Sequence, residues 1–155
     1  MSQLKIRIYR KSDLQEVRDL HILALKSTGA FAKSGSWDDD LNHIKEIYLK
    51  DGEFVVGLLN DKLIAMGAIK KISNAIGEIK RMRVHPDFQR KGFGQLILNK
   101  LEKKAKKLGF KKLQLDTTIN QVAAQKFYQK NNYIKTKLGQ LGGFEIIYYE
   151  KKLSD

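Results

Sequence analysis

The residues best equipped for chemistry meet at one junction, where Met82-Arg83-Val84-His85-Pro86 runs into Gln89-Arg90-Lys91-Gly92-Phe93-Gly94. Proline lacks a backbone donor and forces its predecessor into extended geometry, so a strand must end at His85-Pro86. A helical apolar pattern follows. Two glycines directly ahead of a helix leave amide N–H groups open to close approach, and the helix N-terminus adds partial positive charge. Arg90 and Lys91 supply full charges beside them. Such a loop suits a phosphate or pyrophosphate, although an ordinary glycine turn with a solvated basic pair would use the same residues. The Walker pattern requires lysine and a hydroxyl after its last glycine, whereas Gln95 and Leu96 follow Gly94, and the dinucleotide pattern lacks its third glycine.

The elements that position this junction can be read from periodicity. Leu4 to Tyr9 alternates as a half-buried strand, and Asp13 to Lys26 carries Leu14, Val17, Leu20 and Leu25 at helical spacing. Ser36 followed by Asp39 resembles a capping box and predicts a second helix through Ile44, Ile47 and Tyr48 to Lys50. Phe54 to Leu59 and Leu63 to Ile72 form a hairpin about Asn60-Asp61, and Ile76 to Val84 is the next strand. On that strand Glu78 is expected to share a face with Ile76, Lys80, Met82 and Val84. A helix from Gly92 to Leu108, a strand at Lys112 to Asp116, a helix at Gln121 to Lys130 and strands near Tyr133 and at Phe144 to Tyr149 complete a mixed α/β sheet.

Composition bounds the function. A chain of 155 residues can bury one substantial core, so one domain spanning 1–155 is expected. No cysteine is present, which excludes a disulfide framework and thiolate-based metal, redox or nucleophilic chemistry. His21, His43 and His85 lack the spacing of a metal site, so no metal is expected. Met1 to Arg10 reads as a basic strand rather than a signal peptide, and no apolar run approaches a membrane span, which makes the cytoplasm the expected location. The net charge of +13 attracts anions. Part of the excess is a stripe of Lys100, Lys103 and Lys107 opposite Ile97, Leu101, Ala105 and Leu108, read as a solvated helix face. No aromatic residue interrupts it between Gln95 and Gly109, as stacking on single-stranded nucleic acid would require.

Val84-His85-Pro86 with Gln89-x-x-Gly92-x-Gly94 resembles the pyrophosphate-binding loop of the GNAT superfamily of acetyl-CoA-dependent N-acetyltransferases. A second block, Asn120, Ala123 or Ala124, then Phe127-Tyr128-x-Lys130-x-x-Tyr133, is similar to that family's later motif, with Asn132 where a helix-ending glycine is usual. Asparagine is the next best left-handed C-cap. The resemblance covers most of the chain and implies an α/β, GNAT-like fold: a mixed, mostly antiparallel central sheet of about six to seven strands with helices on both faces.

It also implies roles. Acetyl-CoA would be the acyl donor, held by Met82, Arg83, Val84, Gln89, Arg90, Lys91, Gly92, Phe93, Gly94, Asn120 and Lys130, with main-chain groups near Met82 to Val84 on the pantetheine arm. Asn120 could equally cap the helix before Gln121. Tyr128 matches the tyrosine beside the thioester sulfur, where its phenol could donate to the leaving thiolate; the same ring could simply pack on Ala124. Glu78 is the candidate general base, and a cross-strand ion pair is its other reading.

The acceptor would be an amine on a small molecule or peptide, met by the region from Phe31 to Asp40. There Asp38, Asp39 and Asp40 could attract a cation and Trp37 could stack on it, or the aspartates could simply cap a helix. No specific nucleic acid and no membrane partner is expected; a homodimer is left open. Two other readings are a basic nucleic-acid-binding module and an acyl-CoA-binding regulatory domain without turnover.

Overall fold

The computed structural model describes residues 3–28 and 36–154. The side chains of Thr28, Ser36, Trp37 and Asp38 also lie outside that description. Seven strands form one sheet: β1 (Lys5–Ile8), β2 (Glu53–Leu59), β3 (Lys62–Lys71), β4 (Ile76–Val84), β5 (Lys112–Thr118), β6 (Ile134–Leu141) and β7 (Phe144–Lys152), in spatial order β1-β2-β3-β4-β5-β7-β6. Asn60 and Asp61 both take positive φ, 52° and 66°, forming the two-residue turn whose twist suits a β2–β3 hairpin. β4 and β5 run parallel and every other adjacent pair is antiparallel.

Helices cover both faces: α1 (Leu14–Thr28), α2 (Phe93–Lys107) and α3 (Val122–Lys130). One core joins Ile97, Leu98, Leu101 and Ala105 of α2 to Val55, Ala65, Ile69, Leu113 and Leu115 of the sheet. The other joins Val17 and Leu20 of α1 and Tyr48 to Phe54, Val56, Met66 and Ala68. β3 is buried on both faces, which is why Leu63 to Ile69 reads as a continuous apolar run. A Cβ at Gly67 would lie 2.7 Å from both Ile97 and Met82, so the bare position lets α2 seat against the sheet. Among the described residues, no helix is long and apolar enough to cross a membrane.

Three expectations need correction. The helix foreseen from Ser36 to Lys50 is a 3-10 segment over Ser36–Asn42 followed by one wide turn over Lys45–Leu49. Consecutive aspartates are poor helix formers, and the carboxylate of Asp40 is engaged by Arg81 and Tyr48. On α2, Leu108 is exposed; Leu98 and Phe110 are buried beside Ile97 and Leu101 instead. Most consequential is the pleat of β4. Ala65 pairs with Val84 and Met66 with Arg83, but Ala68 pairs with Lys80, so Gly67 alone opposes both Arg81 and Met82. That is a β-bulge, with Arg81 at φ 58°. It reverses the alternation, so Ile79 before the bulge and Met82 and Val84 after it all pack on the α2 core, while Glu78 and Lys80 face the opposite way.

Candidate active site

The bulge lies where the sheet opens. β4 and β5 pair only from Ile76↔Lys112 to Glu78↔Gln114, after which no further pairing joins them. His85 N–H donates to Ile64 O on β3 at 2.8 Å, so by alternation the main-chain groups of Val84 and Met82 point away from β3, into the gap. Side chains already use that edge, since Gln89 Nε2 donates to Val84 O at 3.1 Å and Arg83 Nη1 to Met82 O at 2.8 Å.

On the α2 side the gap becomes a cleft of about 460 Å³. Met82, Val84, Phe88, Gln89, Arg90 and Gly92 to Gln95 form one wall, and Ala123, Ala124, Phe127, Tyr128 and Lys130 the other. Arg90 and Gly92 take φ of 61° and 85°, curling the chain tightly ahead of α2. A Cβ on Gly92 would meet nothing within 4 Å, so this position is open to whatever approaches, and the first amides of α2 have no acceptor within their own helix. This donor set, with Arg90 and Lys130 beside it, fits a pyrophosphate. Lys91 does not line the cleft; its ammonium lies over the Phe88 ring, 5.9 Å from the centroid.

A second cavity of about 200 Å³ continues between β4 and β5. Its lining includes Lys80, Arg81 and Arg83 from β4, Asp116, Thr117 and Thr118 from β5, and Leu141, Gly142 and Phe144 from the β6–β7 turn. The two spaces share Met82, Arg83, Gln121, Ala124 and Tyr128. Tyr128 therefore stands at the junction of the two spaces.

Its position is well braced. Asn132, at φ 72°, ends α3 in a Schellman motif: Tyr133 N–H donates to Tyr128 O at 3.0 Å and Asn132 N–H to Gln129 O at 3.0 Å. The Tyr133 ring packs edge-on against Tyr128 at 5.5 Å, and its hydroxyl donates to Glu102 at 2.8 Å, the same carboxylate that binds Lys151. Tyr128 is only 5% exposed. Burial pushes its phenol well above the usual tyrosine value, Arg83 opposes this and Asp116 reinforces it, so the phenol keeps its proton.

Other expected residues fall elsewhere. Asn120 is exposed in the β5–α3 turn and lines neither space. Gln121, the next residue, lines both and holds the turn by accepting from Thr118 N and Oγ1, each at 3.1 Å. Glu78 does not line the cavity either; it accepts from Gln114 at 3.3 Å and lies 3.8 Å from Lys80. Two positions beyond Gln114, Asp116 does line it. It escaped sequence reading because a lone aspartate on the polar face of a strand carries no signal. Of the three consecutive aspartates, Asp39 is exposed and Asp40 is committed to Arg81; Asp38 and Trp37 fall outside the described side chains, as do 29–35. Among the described residues, no group of three or more His, Cys, Asp or Glu is placed to hold a metal ion.

Comparison with known proteins gives the family and the fold. The family model described as acetyltransferase (GNAT) family matches residues 15–133. An uncharacterized N-acetyltransferase of Bacillus subtilis (strain 168), YvbK, is 30% identical over 131 residues, covering 84% of this chain and 74% of that protein. The crystal structure of a GNAT-family acetyltransferase from Staphylococcus aureus Mu50 superposes with a TM-score of 0.89 at 20% identity, over 98% of this chain and 100% of the other. The PaiA N-acetyltransferase of Thermoplasma acidophilum, solved in complex with coenzyme A, superposes with a TM-score of 0.78 at 22% identity, over 97% and 99%. With the matched model spanning most of its length, this chain belongs to the acetyltransferase (GNAT) family.

Proposed function

We propose that the chain works as a single domain that moves the acetyl group of acetyl-CoA directly to a primary amine of a small molecule or peptide. The observation that carries this is the placement of Tyr128, where the phosphate-suited cleft joins a second cavity between splayed strands. The amides from Gly92 onward, with Arg90 and Lys130, would hold the pyrophosphate, and the exposed edge of Met82 and Val84 would hydrogen-bond the pantetheine arm as a partner strand does. The coenzyme supplies an activated acyl group on a thiol leaving group. A Val84 or Met82 amide would stabilise the oxygen that gains charge, and Tyr128, still protonated, would donate to the departing sulfur. The relative of known structure with bound coenzyme A supports the choice of donor.

The test is purified protein with acetyl-CoA against free amino acids, polyamines, aminoglycosides and N-terminal peptides, reading released thiol. Turnover on at least one amine is expected; coenzyme binding without turnover on any would support the regulatory reading instead. Gly92→Asp should fold, since its side chain meets open space, yet it places a left-handed strain of about 1 kcal/mol and a negative charge at the anion site. Calorimetry should record at least a tenfold loss of coenzyme A affinity beside a nearly unchanged melting curve. Unchanged affinity in the folded variant would remove this loop from the site.

Coenzyme affinity should also fall as ionic strength rises from low to physiological, because the anion meets exposed cations and a screened helix terminus. Lys103→Glu, on the exposed face of α2, should leave that affinity nearly intact. A large loss there would show that the lysine stripe takes part in binding.

A further inference from the structure

Asp116 is the only carboxylate among the described residues lining the cavity beyond Tyr128. It lies two positions past Gln114, the last β5 residue paired with β4, so it enters the gap where the strands part. Its side chain is solvent-accessible through the cavity, and none of the hydrogen bonds or ion pairs among the described residues engages it. The other acidic groups nearby are committed: Glu78 to Gln114 and Lys80, and Asp40 to Arg81 and Tyr48. A carboxylate left open in a cavity, facing the position from which an acceptor would approach Tyr128, has the placement an ammonium-binding group needs.

We propose that Asp116 receives the acceptor's ammonium group and takes its proton, a role that rests on the acetyltransferase reading above. The acceptor R–NH₃⁺ gives one proton to the Asp116 carboxylate, which frees the nitrogen lone pair. Nitrogen attacks the acetyl carbonyl carbon, a C–N bond forms and the C–S bond breaks. Tyr128 gives its proton to the departing sulfur and regains one from the nitrogen as the amide forms. Asp116 returns its proton to solvent through the cavity, so one proton is released for each acetyl group moved.

The surroundings make Asp116 a better base than an ordinary aspartate. Incomplete solvation raises its carboxyl above the usual 3.8, the negative charge of Glu78 raises it further, and Lys80, Arg81 and Arg83 oppose them without cancelling the rise. Tyr128, which also faces this space, remains neutral. Glu78 thus acts on the amine only through Asp116, as a positioning residue.

Asp116→Asn separates this from a structural role. With the best ammonium acceptor in the panel, turnover at neutral pH should fall on the order of 10²-fold, and the deficit should shrink as the pH approaches the acceptor's own pKa, where the amine arrives neutral. Hydroxylamine, already neutral at pH 7, should be acetylated at nearly the wild-type rate, and coenzyme A affinity should not change. Glu78→Gln should shift the acid limb of the wild-type profile to lower pH and cost far less turnover. If Asp116→Asn does not fold, Asp116→Glu is read in its place and should retain turnover with an altered acid limb. Full turnover in Asp116→Asn, or a deficit equal at every pH and for both acceptors, overturns the proposal. Failure of the wild type itself to release thiol with any amine would instead reject the acetyltransferase reading beneath it.

Discussion

Tyr128→Phe should keep its fold and its coenzyme affinity while losing about 10²-fold to 10⁴-fold in turnover, the usual contribution of a positioned general acid. The substitution removes one oxygen and leaves the ring in its edge-on contact with Tyr133. The Schellman bonds that end α3 come from main-chain groups and survive the change. The phenol is held in its protonated form by burial foremost, so it is fitted to donate rather than to accept, and the thiolate is the group in the reaction that needs a proton. Turnover number against coenzyme A affinity, with melting temperature as control, is the measurement. A mutant with wild-type turnover on its best acceptor would reduce Tyr128 to a packing residue. A smaller loss, near tenfold, would mean that water replaces the phenol at the sulfur.

The parts of this site that were legible in the sequence are those whose signals are local. His85-Pro86 ends β4 because proline acts on its immediate neighbour, Asn60-Asp61 turns the chain because both residues tolerate left-handed φ, and Asn132 caps α3 for the same reason. The glycines and cations at 90–94 belong to one strand–helix junction, and all but Lys91 line the cleft. What stayed hidden depends on contacts between distant segments. The bulge at Arg81 has no turn residue to announce it; it is set by the register of β3 against β4 and by Asp40, 41 residues away. Without the bulge, plain alternation would place Glu78 on the face of Met82 and Val84. Asp116 matters only because β5 stops pairing with β4 two residues earlier, and pairing is not written in the alternation of β5 itself. Asn120 and Gln121 are adjacent polar residues in a turn, and only the turn's geometry decides that the second one faces the cleft.

The bulge supports the last prediction, that Asp40→Ala will be among the most destabilising single changes in the chain. A left-handed arginine inside a strand costs on the order of 1–3 kcal/mol, which something must offset. Asp40 grips Arg81 through two oxygens, with Nε to Oδ2 at 2.9 Å, and also accepts from the Tyr48 hydroxyl. Both side chains of the ion pair are nearly buried, 9% exposed for Arg81 and 13% for Asp40. Removing one member of a buried pair typically costs about 3–5 kcal/mol, because the pairing offsets part of the cost of taking both charges out of water. For a chain of this length that corresponds to a fall of about 6–20 °C in melting temperature. Burial alone would raise the Asp40 carboxyl, but the Arg81 bonds and charge, with help from Tyr48 and Lys80, hold it below its ordinary 3.8. A lowered carboxyl stabilises the fold above its unfolded-state value, and that stability drains as pH falls through the lower folded value. Wild type should therefore lose this part of its stability only in strong acid, and Asp40→Asn should lack that acid-dependent component at every pH. Melting curves of wild type, Asp40→Ala and Asp40→Asn from neutral pH down to about 1 to 2 test both statements. An Asp40→Ala variant melting within a degree or two of wild type would show that the register of β3 holds the bulge without this ion pair. In that event the segment that carries Asp40 and strand β4 would be independent. With the pair in force, loosening Asp40 should also lower turnover, because the role proposed for the Met82 and Val84 amides depends on the bulge beside them.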